Sequence, residues 1–195
     1  MLTVIGSRAT RTARVVWALE EMGLDYEYVE WKPRSDEVRA LNPTGKVPVL
    51  REDDEIITDS TAIITYLADR HGKLTAPAGT LARARQDAMI HFLLDEFDAC
   101  LWTAARHSFI LPEDKRVPEI KPSLRWEFSR SQAELVRRMA DGAFVMGDEM
   151  TIADIIAAHC GHWARGARFE ITEPVYAAYI DRMLDRPGWK VARGV

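Results

Sequence analysis

Cysteine is scarce. The chain of 195 residues holds two, Cys100 and Cys160, which form no CxxC pair and have no metal-site spacing. That excludes a disulfide framework and a dithiol centre, and it gives the expectation of a reduced, cytoplasmic protein. Long apolar runs are missing too: no stretch of about 18 apolar residues exists, so no membrane span is expected. Met1 to Gly6 has neither the basic flank nor the apolar stretch of a signal peptide. Positive charge is also short. Lys and Arg number 26 against 30 Asp and Glu, the net charge is −4 and the pI is near 5.8. No basic block stands out, which argues against a nucleic-acid partner. Arg8, Arg11 and Arg14 form the one cluster, at a helix entrance. No internal repeat and no low-complexity tract occurs.

What is present suffices for a sizeable core, with 47% hydrophobic residues. The first third alternates strand and helix signals. Leu2 to Ile5 is a short β-type run, and Arg14 to Met22 has helical periodicity, stopped by Gly23. Tyr26 to Trp31 alternates at period two, as a half-buried strand does. Ser35 to Leu41 reads as a short helix ended by Asn42-Pro43, because a residue before proline avoids the helical region. Val47 to Arg51 and Glu55 to Ile57 make a hairpin around Glu52-Asp53-Asp54, and Ser60 to Arg70 a closing helix. The order βαβ-α-ββ-α is that of a thioredoxin-like domain over residues 1–72. Residues 73–79, with Pro77 and Gly79, read as a linker. Residues 80–195 are expected to be all-helical, with helices over 81–110, 123–140, 151–165 and 174–184. The fold class is α/β plus all-α.

Val47-Pro48 places a proline at the start of an apparent buried strand. Proline cannot donate to a ladder, so it belongs at an edge, a strand start or a turn. A cis peptide before Pro48 is the expectation. Further on, Asp59-Ser60 sits where a helix begins, an anion site built from free N–H groups and a favourable dipole. A third feature is Thr151-Ile152-Ala153-Asp154, a capping box with Asp in place of Glu, flanked by the hydrophobic staple Met150 and Ile155.

Together these motifs, spread over essentially the whole chain, resemble the glutathione transferase family. The resemblance implies a thioredoxin-like domain and a helical bundle that forms the electrophile pocket. It also implies glutathione as co-substrate, no metal, a small apolar electrophile or peroxide as partner, and a homodimer. In the family, the residue before the proline pairs its backbone with the cysteinyl unit of glutathione, which points to Val47 and Pro48. The acid–serine pair holds the γ-glutamyl end, which points to Asp59 and Ser60, and the polar residue at Lys46 meets the glycyl carboxylate. Trp31, Lys32 and Arg34 lie where some members place another carboxylate contact.

The catalytic loop of the family lies between the first strand and helix, here Gly6 to Arg14. No tyrosine or cysteine occurs there, which argues against the tyrosine classes and the cysteine-based reductases. Thr10-Arg11-Thr12-Ala13-Arg14 is similar to a Ser-Arg-Ser-x-Arg pattern of some members. Thr10 is the first candidate for the sulfur donor and Arg11 for the stabilising cation, followed by Ser7 and Thr12. A thiol with pKa near 8.5 is mostly protonated at neutral pH, so a donor, a cation and a helix N-terminus would all favour the reactive thiolate. The plainer alternative is that Thr10 or Thr12 only caps the helix.

His159 and His162 flank Cys160 but have no third partner at metal spacing. On the long helix, His91, Trp102, His107 and Phe109 are candidates for the electrophile pocket, while Phe92, Phe97 and Trp102 are equally candidates for core or dimer contacts. The rival functions are an isomerase or dehalogenase of the same fold, a glutathione-dependent disulfide reductase, and a non-catalytic binding protein.

Overall fold

The structure, a computed structural model, describes residues 1–195. In chain order the strands are β1 (Leu2–Ile5), β2 (Glu27–Val29), β3 (Val49–Glu52) and β4 (Glu55–Thr58). The helices are α1 (Thr12–Met22), α2 (Asp36–Leu41), α3 (Ser60–His71), α4 (Leu81–Phe92), α5 (Ala99–Ala105), α6 (Lys121–Arg138), α7 (Ile152–Gly166), α8 (Pro174–Leu184) and α9 (Pro187–Arg193). They divide between two compact units, Met1–Ala78 with Asp185–Val195, and Gly79–Leu184.

The first unit is a thioredoxin-like α/β body. Its sheet has the order β2-β1-β3-β4, with β1 parallel to β2 and antiparallel to β3. Val4 lies opposite Leu50 and Ile5 opposite Val49, and all four are buried. Successive residues of one strand point to opposite faces, so burial of both neighbours means that the sheet is covered on both sides. Helix α1 is buried almost all round, from Thr12 to Leu19, and stops at Gly23, whose φ of 66° suits a residue without Cβ. Ser35 caps α2 by accepting the Val38 N–H.

The last helix of this unit, α9, was not anticipated: the sequence reading placed residues 185–195 with the helical part, whereas they pack with the first unit. Trp189 meets Trp17 of α1 edge-on at 5.1 Å between ring centres. Arg186 grips the Glu21 carboxylate with both fork nitrogens, at 2.7 and 2.6 Å, and Trp17 Nε1 donates to the same carboxylate at 2.9 Å. A Cβ on Gly188 would sit 3.0 Å from Trp17 Cδ1, so glycine allows the close approach.

The second unit is helical. π-helical turns at Leu93–Asp98 and Arg106–Ile110 join α4 and α5 into one helical stretch over residues 81–110, as the periodicity indicated. Helix α6 starts two residues earlier than expected, because Pro122 is tolerated in a first turn, where its missing N–H is not needed. Asp154 reaches back from α7 to the Thr151 N–H at 2.8 Å, and the Asp154 N–H goes to the Thr151 carbonyl at 3.0 Å. Its other oxygen accepts the Val145 N–H at 2.8 Å and the Tyr179 hydroxyl at 2.7 Å, which ties α8 to the start of α7. Phe97 is fully buried against Phe128 and Tyr176, so it belongs to the core of this unit. No helix is long and apolar enough to cross a membrane.

Candidate functional site

Three short segments of the first unit carry the candidate residues: the loop from Gly6 to Arg11, the approach to β3, and the start of α3. The first two are packed together at Gly6. With φ of 142°, this glycine brings its backbone so close to both that a Cβ there would lie 2.4 Å from Thr12 Oγ1 and 2.8 Å from Val47 Cβ. Val47 packs on Ile5, Val38 and Val49, as does Trp31. The Val47–Pro48 peptide is cis, and β3 begins only at Val49, so Val47 precedes the ladder.

The loop is a chain of hydroxyls. Thr10 Oγ1 donates to the Ser7 carbonyl at 2.7 Å, lies 3.0 Å from Thr12 Oγ1 and accepts the Thr12 N–H at 3.2 Å. Helix α1 therefore starts at Thr12, with Arg11 in the cap position and no side chain of its own capping it. Thr12 is fully buried, while Ser7, Thr10 and Arg11 keep part of their surface. Below Ser7 lies a group that the sequence reading missed. The Tyr28 hydroxyl reaches the Gly6 carbonyl at 2.7 Å and also bonds Glu30. Hydrogen bonds from Tyr28 and, less strongly, from Ser7 hold the Glu30 carboxyl below its ordinary range. Burial and the Glu30 contact push the Tyr28 phenol up to about 12. Arg8 lies over the Tyr28 ring at 4.4 Å and donates to the Val191 carbonyl at 3.1 Å. The available signal was the period-two spacing of Tyr28, in β2, and Glu30, just past its end.

A second missed residue is Asn42, read from sequence only as a helix stop. Its side chain donates to the Lys46 carbonyl at 2.9 Å and accepts the Thr44 N–H and hydroxyl at 3.2 and 2.8 Å. It shapes the turn that delivers Lys46 and Val47, and Asn-Pro-Thr-Gly carries the composition of such an Asx turn. Lys46 itself is exposed. Lys32 and Arg34 are exposed as well, and the Arg34 N–H meets the Gly45 carbonyl at 2.8 Å.

At α3, Asp59 is the N-cap. Its Oδ1 accepts the N–H groups of Thr61 and Ala62 at 2.9 and 3.1 Å, and its backbone has φ of 74° and ψ of 124°. Such a φ is uncommon away from glycine and costs about 1–3 kcal/mol, a cost concentrated at ligand clamps. Ser60, the first helical residue, is 3% exposed. In the other unit, His107 Nδ1 accepts the Val117 N–H at 3.0 Å, and His159 is buried edge-on to Trp163. Both cysteines are buried and neither forms a disulfide; burial pushes the Cys100 thiol up to about 12, with Glu127 adding to the shift.

A mixed sheet of this order followed by a helical unit has counterparts among known proteins. Residues 6–77 match the family model described as "Glutathione S-transferase, N-terminal domain". Glutathione S-transferase GstA of Escherichia coli O157:H7 is 28% identical over 179 residues, which covers 87% of this chain and 86% of that protein. Among solved structures, a glutathione transferase homologue from sulfitobacter with bound glutathione aligns with a TM-score of 0.85 at 22% identity, covering 100% of this chain and 97% of the other. A glutathione transferase of Phanerochaete chrysosporium with oxidized glutathione gives a TM-score of 0.81 at 24% identity, covering 98% and 92%. Over residues 6–77 the chain matches the N-terminal domain of the glutathione S-transferases, over most of its length it is similar to members of that family, and it has their fold.

Proposed function

We propose that the chain is a glutathione transferase that binds the tripeptide in its first unit, lowers the thiol pKa and directs the thiolate at a small apolar electrophile or peroxide held by the helical unit. The observation that carries this reading is the packing, across Gly6, of a hydroxyl-and-cation loop against Val47. Val47 offers backbone groups ahead of the ladder to the cysteinyl unit. Ser60, at the first position of α3, offers its N–H to the γ-glutamyl carboxylate. Asp59 spends Oδ1 on the cap, which leaves Oδ2 for the γ-glutamyl ammonium. Lys46 reaches the glycyl carboxylate from an exposed position.

Bound glutathione would supply the sulfur nucleophile; the loop supplies the field around it. Thr10 has its oxygen fixed by the Thr12 N–H, while its proton can turn from the Ser7 carbonyl toward a sulfur. Arg11 adds a positive charge, and the start of α1 adds its dipole. Ser7, directed at Glu30, and the buried Thr12 act in this scheme as supports for Thr10. In conjugation, a carbon–sulfur bond forms while the leaving group departs with its electron pair, the thiol proton having already passed to solvent.

We place this chemistry in the cytoplasm and in a homodimer, as the likeness to the glutathione transferases suggests. The test is calorimetric titration of the chain with glutathione, followed by assays with an aryl halide, an organic peroxide and a disulfide. Binding with turnover of the halide or the peroxide is expected. Absence of glutathione binding would overturn the reading, and turnover of the disulfide alone would make the protein a reductase.

A further inference from the structure

The helical unit contains a cavity of about 150 Å³ between α5, the start of α6 and the end of α7. A cavity of about this size takes one benzene ring. Its walls are apolar, chiefly Leu101, Ala105, Trp163 and Phe169, and no acidic side chain lines it. Ser108 also faces it, but its hydroxyl donates to the Ala104 carbonyl at 2.6 Å and is engaged there. The remaining polar groups are both cations, Lys121 and Arg125. Neither makes an ion pair, and the Arg125 guanidinium lies 5.6 Å from the centre of the Phe169 ring. Lys121 is the first residue of α6, which no side chain caps, so the positive end of an 18-residue helix adds to the same field.

An apolar slot for one ring, with two unpaired cations at its polar end and no carboxylate among them, is complementary to one kind of small molecule. We propose that this cavity binds a one-ring aromatic carboxylate, the ring against Trp163 and Phe169 and the carboxylate on Lys121 and Arg125. The arginine fork matches a carboxylate in two parallel hydrogen bonds, while lysine meets it as a point charge. The inference rests on the proposed transferase reading in one respect: it names aromatic acids as the class of acceptor that the helical unit selects.

The test is calorimetric titration of the full chain, without glutathione, with benzoate and with its neutral isostere benzamide. Benzoate should bind at least tenfold more tightly than benzamide. Lys121→Met and Arg125→Gln, both at partly or fully exposed positions, should each weaken benzoate at least tenfold and leave benzamide unchanged. Added salt should weaken benzoate alone. Equal affinity for the two compounds, no benzoate binding, or benzoate binding that survives in the double variant would overturn the proposal. The outcome is separable from that of the transferase reading. A chain that binds benzoate through these cations but fails to bind glutathione keeps the cavity and loses the transferase.

Discussion

At the scale of single residues, the site turns on how one hydroxyl proton is shared. Thr10 gives its proton to the Ser7 carbonyl and takes one from the Thr12 N–H, so the same atom serves the turn and, in the proposed function, is offered to the sulfur. Thr10→Ala should therefore raise the pKa of the bound thiol and cut turnover, with glutathione affinity nearly unchanged. Arg11→Ala should do the same more strongly, because it removes a full charge. The check is thiolate absorbance of bound glutathione against pH in each variant. If both titrate like the wild type, the hydroxyl is only a turn element. Asp59 caps α3 and, in the proposed function, also holds the γ-glutamyl end. Asp59→Ala should weaken glutathione about tenfold to a hundredfold by calorimetry, as loss of a charge-assisted hydrogen bond of roughly 1.5–3 kcal/mol implies. It should also lower stability by about 1 kcal/mol through the lost cap. Asp59→Ser separates the two, since serine caps but carries no charge: stability should stay while affinity falls. The sequence motif marked Asp59 as an anion-site residue. It gave no sign of the positive φ, since backbone angles at a helix entry depend on where the preceding strand ends.

At the scale of elements, most of the fold was legible. Strand β1, the hairpin and helices α3 and α8 follow from alternation, turn residues and 3.6-residue periodicity. The capping motif placed the start of α7 because Thr151 and Asp154 act within one turn. Thr151→Ala should cost about 1 kcal/mol of stability in denaturant unfolding and leave glutathione affinity alone. Helix α9 was not legible. Its seven residues open with Pro187-Gly188, a pair without helical periodicity, and its partners lie in α1, far away along the chain. What holds it is Trp189 on Trp17 and the fork of Arg186 on Glu21. Trp189→Ala should destabilise the chain by about 3–5 kcal/mol, the usual loss for a buried tryptophan. Burial alone would raise the Glu21 pKa, but the Arg186 hydrogen bonds, the Trp17 bond and the Arg186 charge together hold it below the ordinary value. The stability from this pair is thus present above the ordinary glutamate range and is lost as pH falls through the lowered folded-state value. Glu21→Gln should flatten that acid limb of the stability curve in denaturant unfolding measured against pH. An unchanged limb would assign the acid sensitivity to other carboxylates.

At the scale of the whole molecule, the presence of an α/β part and a helical part could be read from the change of pattern along the chain. The return of residues 185–195 to the first unit could not, because it depends on contacts that no local pattern encodes. Large apolar side chains remain exposed on the single chain, Leu81 at 78% and Trp126 at 62% among them, in line with the proposed homodimer. Light scattering at micromolar protein should give about twice the 22.1 kDa of one chain; a mass of one chain would remove the dimer. The central claim is that this chain binds glutathione and ionises it. The most direct measurement is thiolate absorbance of glutathione bound to the wild-type protein, followed from acid to alkaline pH. The expected midpoint lies about two units below the free thiol value near 8.5, which corresponds to roughly 2.7 kcal/mol of preference for the thiolate. A bound thiol that titrates where the free one does would contradict the account.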